Sequence, residues 1–202
     1  MSGPAARTDT AERVLDLAER LVQTRGFNGF SYADIAKGLR VTKASLHYHF
    51  PTKAELGLRL IERYGDNFAL ALTAIDEDEA NAAAKLRRYV GIHAGVLNAG
   101  RMCLRGMLAA DYMTLPEPMR TAVTHFFEAN ERWLAAVLEQ GRAEAGLRFA
   151  GDAVEVARLL AGSLEGAMLV ARSFGAAGRF EAIADRLLAG LLVVETDRAL
   201  VG

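Results

Sequence analysis

Apolar residues recur at helical spacing along nearly all of the 202-residue chain. Over residues 10–25, Val14, Leu17, Ala18, Leu21 and Val22 fall on one face, the pattern of a helix with a single buried side. Asp9 is placed to cap its start, with Glu12 three residues on, and Gly26 supplies a left-handed stop. Ser31 caps a second, short helix that turns Ile35, Ala36 and Leu39 inward. Thr42 caps a third, with Leu46 and Phe50 one turn apart, and Pro51 disfavours helix at Phe50. Thr52-Lys53-Ala54-Glu55 is a capping box opening a fourth helix, expected to run to about Ile75 before the acidic 76–80 forms a solvated turn. Further helices are predicted over about 80–98, 102–113, 117–145, 152–175 and 179–197. The breaks between them fall at Asn98-Ala99-Gly100, at "LPEP" (115–118), near Gly146 and at "GAAG". No stretch of useful length alternates with the period of a strand, so the fold class is all-α.

The last two long helices depart from the one-sided pattern. In "AVEVARLLAGSLEGAMLVARSFG", apolar or small residues surround the axis, interrupted only by Glu155, Arg158, Glu165 and Arg172. A helix apolar on most sides must be covered on most sides. A chain of this length centres one such helix, and two point to a subunit interface; the alternative is a monomeric bundle that buries both. Gly162, Ser163 and Gly166, with Leu188 and Leu191 on the next helix, are the expected contact residues of a homodimer.

Composition alters this picture in three ways. Lys plus Arg number 24 and Asp plus Glu 25, a net charge of -1. That average conceals an asymmetry: residues 1–53 hold eight basic and five acidic residues, the remainder sixteen and twenty. A basic head on an acidic body suits an anion-binding module attached to a second domain. Cys103 is the single cysteine, which precludes an intrachain disulfide and fits a reducing cytoplasm. No apolar run reaches the roughly 18 residues of a membrane helix or the form of a signal peptide, so a cytoplasmic protein without a membrane partner is expected.

The short second and third helices, closely joined, form a helix-turn-helix over about 31–50. At about 100° per residue, Lys43, Ala44 and His47 share an outward arc of the third helix while Leu46 and Phe50 face inward. Lysine donates to guanine acceptors or phosphate, imidazole donates or accepts at a base edge, and a small alanine lets the helix sit deep in the groove. Ser45, Tyr48 and His49 flank that arc. Lys53 sits beside a helix N-terminus, a phosphate-binding position in its own right. Ser31, Tyr32 and Ala33, opening the second helix, complete the expected DNA contacts. A metal site at "HYH" is excluded because i and i+2 on a helix point about 200° apart.

The run "GFNGFSYADIAKGLRVTKASLHYHFPTKAEL" resembles the DNA-binding domain of TetR/AcrR-type transcriptional regulators over residues 10 to about 56. Gly26-Phe27, Phe30, Ile35-Ala36, Val41, Leu46, His49-Phe50, Lys53 and Leu56 are in register. The resemblance implies an N-terminal three-helix DNA-binding domain (1–52) and a six-helix ligand-binding and dimerisation domain (53–202). It also implies a homodimer released from a double-stranded DNA operator by a small-molecule effector, with no cofactor. Two positions depart from the pattern: Arg40 stands where glycine is common, and His47 where tyrosine is commonest. "RMCLRGMLAADYMTLPEP" and "ANERWLAAVLEQGR" are similar to a branch that includes electrophile sensors, which makes Cys103, between Arg101 and Arg105 at a helix start, a candidate reactive thiol; the alternative is a small buried hydrophobe. Phe68, Tyr89, Met102, Met107, Tyr112, Phe126, Phe127, Trp133 and Met168 are candidates to line an apolar ligand site, with Asp111 and His125 to orient the ligand. Two other readings compete: a helical enzyme using Cys103 or His93, for which no nucleotide fingerprint, metal cluster or spaced carboxylate pair is found, and a helical scaffold that binds no DNA.

Overall fold

The computed structural model describes residues 4–193. Among them nine α-helices follow in order: α1 (Pro4–Arg25), α2 (Tyr32–Leu39), α3 (Lys43–His49), α4 (Lys53–Asp78), α5 (Ala82–Asn98), α6 (Leu104–Ala110), α7 (Glu117–Ala143), α8 (Ala153–Ser173) and α9 (Gly178–Ala189). A 3-10 turn spans Tyr112–Thr114. The class is all-α as expected, with an isolated antiparallel bridge between Leu147 and Leu192. Among the described residues no helix is long and apolar enough to cross a membrane.

The chain divides into two compact units, Met1–Asn67 with Arg101–Phe126, and Phe68–Gly100 with Phe127–Gly202. The unit holding the helix-turn-helix therefore extends past residue 52 to take in the first half of α4, all of α6 and the start of α7. Its core explains why. Val14, Leu15, Ala18, Leu21 and Val22 of α1 are buried, as are Phe27, Phe30, Ile35, Leu46 and Phe50, and α4 adds Leu56, Leu60 and Ile61. Each of the larger side chains contributes about 1.5–3 kcal/mol. Leu17 is only half-buried and lies against Gly38, where an added Cβ would meet its Cδ2 at 2.6 Å. Arg63, further along α4, bonds Glu12 (3.1 Å), Asp16 (2.7 Å) and Glu19 (3.0 Å), one carboxylate stripe of α1.

Local chemistry sets the ends of the short helices. The Asp34 carboxylate accepts from the Ser31 N–H and hydroxyl, both at 2.7 Å. Those bonds hold it below the usual carboxylate range. The Ser45 N–H donates to Thr42 Oγ1 at 3.2 Å, and the Phe50 N–H closes α3 on the Leu46 carbonyl at 2.8 Å. Thr52 and Glu55 satisfy one another reciprocally at 3.1 Å.

Three boundaries differ from the expectation. Helix α1 begins at Pro4, so Asp9 lies inside it rather than capping it. Helix α4 continues to Asp78, because Asp76 is held by two side-chain bonds described below instead of being left to solvent. Helix α9 ends at Ala189. Beyond it the backbone pairs with 146–148: the Arg148 N–H donates to the Leu191 carbonyl (2.8 Å) and the Val193 N–H to that of Gly146 (3.1 Å). Residues 194–197 of the predicted helix lie outside the described residues.

Arg40, the first departure from the family pattern, ends α2 in the left-handed region, with φ 56° and ψ 43°. That conformation costs a non-glycine residue about 1–2 kcal/mol, against about 0.5–1 kcal/mol of extra chain entropy lost by glycine. Arg40→Gly is therefore expected to raise unfolding free energy by about 0.5–1 kcal/mol, read as a higher urea midpoint at unchanged slope.

In the second unit α8 packs on α9, and both pack on α5. One face of α8 buries Ala157, Leu160, Ala161, Leu164, Ala167, Met168 and Ala171. The other leaves Leu159 (65% exposed), Leu169, Val170 and Phe174 in solvent. Gly162 and Gly166 open on the same side, with no atom of the described residues within 4 Å of a Cβ built on either. Ser163 is half-buried. Leu188 differs from its expected interface role: it is 6% exposed, taken up by the core of its own unit. Leu191 lies beyond α9 and is half-buried.

Candidate functional site

The first candidate surface is α3. Its inner face is fixed by Leu46 and by Phe50 at its end, and Lys43, Ala44, His47 and Tyr48 are exposed. Ser45 and His49 are half-buried at the margins, and Ser31 and Ala33 are exposed at the start of α2. Tyr48 is 62% exposed and meets the His49 ring edge-on at 5.3 Å.

Tyr32 stands behind this surface rather than on it. Its hydroxyl lies 2.7 Å from the Phe50 carbonyl and 2.8 Å from that of Thr52, sharing one proton between them. Burial, with Glu55 nearby, pushes the Tyr32 hydroxyl up to about 12. The ring packs against that of His47 at 4.8 Å. Tyr32 thus braces the α3–α4 turn.

Lys53 also turns inward. Its ammonium donates to the Phe27 and Phe30 carbonyls, 4.5 and 4.2 Å from the centroids of their rings. Burial pushes it below the ordinary lysine range, against the pull of Asp111 and Asp34. The sequence held a signal for this, since a cation in a first helical turn opposes the helix dipole and needs electron-rich partners elsewhere. Asp111 holds the same loop from the other polarity: its Oδ2 accepts the Phe27 N–H at 2.7 Å. That bond ties Asp111 to the loop after α1.

The other ligand candidates separate by unit. Met102, Cys103, Met107, Tyr112, His125 and Phe126 belong to the first. Met102 is buried, and its N–H donates to the Gln23 carbonyl at 3.0 Å. Cys103 is 3% exposed and forms the N-cap of α6, one position before the first turn expected for it. Arg101 points to Gln23 Oε1 at 3.2 Å, and Arg105 is itself buried, its guanidinium 5.5 Å from the centre of the Phe126 ring. His125 lies on the exposed side of α7. Tyr112 and Met107 are half-buried.

Phe68, Tyr89, Trp133 and Met168 belong to the second unit, and the first three come together there. Tyr89 is fully buried and stacks on Trp133 at 5.5 Å and 26°. Phe68 meets Tyr89 edge-on at 6.3 Å and His93 at 6.5 Å. The Tyr89 hydroxyl donates to Asn130 Oδ1 at 3.0 Å. Asn130 escaped the sequence reading although it lies three residues before Trp133 on α7. It is 1% exposed, and its Nδ2 has no hydrogen-bond partner among the described residues. His93 Nδ1 donates to the Tyr89 carbonyl at 3.1 Å, and its Nε2 lies 4.0 Å from Glu165 Oε1. An open groove of about 690 Å³ along α4 and α5 of this unit, lined by residues including Ile75, Arg87 and Ile92, touches none of the expected ligand residues.

Asp76 closes the cluster at its polar end. It accepts from Lys85 Nζ and from Trp133 Nε1, both at 2.8 Å. Burial alone would raise its carboxyl, but the bonds from Lys85 and Trp133 outweigh this and hold it below the usual carboxylate range. With the folded value below the unfolded one, the contribution is complete above about pH 4 and is lost as pH falls through the folded value. Asp76→Asn is therefore expected to lower the urea midpoint at neutral pH and to flatten its decline on acidification. An acid limb as steep in the variant as in the wild type would assign it to other carboxylates.

Comparison with known proteins bears on both surfaces. The family model "Bacterial regulatory proteins, tetR family" matches residues 14–60, and "Tetracyclin repressor-like, C-terminal domain" matches residues 82–187. The chain is similar to the HTH-type transcriptional repressor NemR of Escherichia coli, with 28% identity over 176 residues, 82% of this chain and 87% of that protein. A TetR-family transcriptional regulator from Agrobacterium tumefaciens has a similar structure, with TM-score 0.90 and 32% identity over 93% of this chain and 100% of that one. A TetR transcriptional regulator from Legionella pneumophila gives TM-score 0.81 and 30% identity over 95% and 98%.

Proposed function

The chain belongs to the TetR family of bacterial transcriptional regulators, and on that premise we propose that it is a cytoplasmic homodimeric repressor, not an enzyme, released from a palindromic operator by a small effector. The observation that carries this reading is α3: a helix whose inner face is locked by Leu46 and Phe50 while Lys43, Ala44, His47 and Tyr48 stand exposed together. A helix held in this way presents base-reading side chains to a major groove, and Ser45, His49, Ser31 and Ala33 flank it toward the phosphates. Selection of bound duplexes from a random pool is expected to enrich an imperfect palindrome. Its half-site centres should lie about one helical turn, roughly 34 Å, apart or modestly more. A pool with no enriched motif overturns the reading.

Dimerisation is supported by the uncovered stripe of α8, where Leu159, Gly162, Gly166 and Leu169 follow one another at helical spacing. Among the described residues no atom lies within 4 Å of a Cβ added at Gly166, so Gly166→Leu is expected to leave the monomer folded and to abolish the dimer. Sedimentation analysis reads this directly, and a dimer of wild-type affinity moves the interface elsewhere.

The effector site is supported by the cluster of Phe68, Tyr89 and Trp133, where the buried Asn130 Nδ2 offers a hydrogen-bond donor among aromatic walls. A largely apolar molecule with one acceptor group fits that lining. It shifts the balance between DNA-competent and released states only by its differential affinity for the two.

A further inference from the structure

The second departure from the family pattern, His47, is held in a way that fixes what its outer nitrogen can read. His47 Nδ1 lies 3.0 Å from the Pro51 carbonyl oxygen. A carbonyl oxygen only accepts, so Nδ1 is the nitrogen that carries the proton. The Tyr32 ring packs against the imidazole at 4.8 Å, and the Tyr32 hydroxyl is bound to the Phe50 and Thr52 carbonyls on either side of Pro51. Carbonyl, ring and turn thus form one assembly, and flipping the imidazole loses its bond to the Pro51 carbonyl. With Nδ1 turned to the backbone, Nε2 is the remaining polar atom of an exposed side chain. In the neutral ring this nitrogen carries a lone pair and no proton.

That polarity selects among bases. In the major groove, guanine presents acceptors at N7 and O6, whereas adenine N6 and cytosine N4 present amine donors. Two lone pairs facing one another do not bond. Resting on the assignment of α3 as the DNA-reading helix, we propose that His47 acts as a hydrogen-bond acceptor that selects a base bearing an exocyclic amine, adenine or cytosine, at one position of each half-site. Lys43 and Ala44, on the same arc, leave that task to His47: the lysine only donates, and the alanine offers only a methyl group.

The test uses the full-length protein at about pH 8 and the operator obtained by selection. At each adenine or cytosine of a half-site, the amine is deleted by substituting purine for adenine or 2-pyrimidinone for cytosine. At one position the deletion is expected to cost the wild type roughly tenfold in affinity and His47→Ala nothing, the loss of one base-edge hydrogen bond. His47→Lys, which donates and cannot accept, is expected to shift the selected base there to guanine. The His47 side chain is exposed, and circular dichroism melts confirm that the variants are folded. A motif in which no amine deletion separates wild type from His47→Ala overturns the proposal while leaving DNA binding standing. So does a His47-dependent loss on replacing guanine by 7-deazaguanine, which would make the imidazole a donor. Failure to select any motif overturns the DNA-binding reading and this one with it.

Discussion

Truncating Tyr89 to alanine is expected to lower unfolding free energy by about 3–5 kcal/mol, the range for removing a fully buried aromatic side chain. The side chain stacks on Trp133, meets Phe68 edge-on and donates to Asn130. Its loss therefore opens a void between helices and strips the buried amide of its bond as well. Tyr89→Phe separates these effects. It keeps the packing and removes only the hydroxyl, leaving Asn130 Oδ1 without its donor in a site where Nδ2 is already unsatisfied, at a cost of about 1–3 kcal/mol. Pairing Tyr89→Phe with Asn130→Leu is expected to recover much of that cost, because an amide with nothing to bond is worse in a core than an apolar group of similar size. Urea unfolding of the four proteins of the cycle gives the coupling. Strict additivity of the two changes would show that the bond does not hold the cluster together.

Replacing Lys53 by alanine is expected to cost about 2–3 kcal/mol, the scale of hydrogen bonds to a charged group. The loop between α1 and α2 leaves its Phe27 and Phe30 carbonyls facing that ammonium, and both rings lie against it. Arginine is not expected to rescue, since a planar fork does not enter a site shaped for a compact ammonium. The DNA result separates this role from a phosphate contact. Lys53→Ala should lower the urea midpoint while the dependence of operator affinity on salt keeps its slope, whereas Lys43→Ala should reduce that slope by about one. A fall in slope with Lys53→Ala and no loss of stability would return Lys53 to the DNA surface.

Those two residues mark where the sequence is legible and where it is not. Periodicity and capping chemistry act within a few residues of chain, and they placed α2, α3 and the start of α4 because Ser31, Thr42, Thr52 and Glu55 meet partners three residues away. The outward arc of α3 follows from helical geometry alone and is found exposed. The partners of Lys53, Tyr32 and Asp111 lie 26, 18 and 84 residues away, where only the fold brings them, so local pattern does not reveal them. Asn130 is hidden from local pattern for the same reason, its partner Tyr89 being 41 residues distant. The end of α9 was overrun because the apolar pattern continues through Leu191 and Leu192, while the backbone there pairs with 146–148 instead of with its own helix. Leu188 was assigned to a subunit interface because periodicity shows that a face is apolar and not whether it meets its own chain or another.

Trp133 is the single tryptophan of the chain and lies in the second unit. Its indole nitrogen donates to Asp76 while its ring stacks on Tyr89. Fluorescence excited at the red edge of protein absorption therefore arises from one indole, at the proposed effector site, and the helix-turn-helix unit stays dark. Far-ultraviolet ellipticity, by contrast, counts helix in both. Recorded on the same denaturation series, the two signals distinguish a chain that unfolds in one step from one whose units melt apart. On titration with small molecules, a change in emission without a change in ellipticity identifies an effector candidate before any DNA is added.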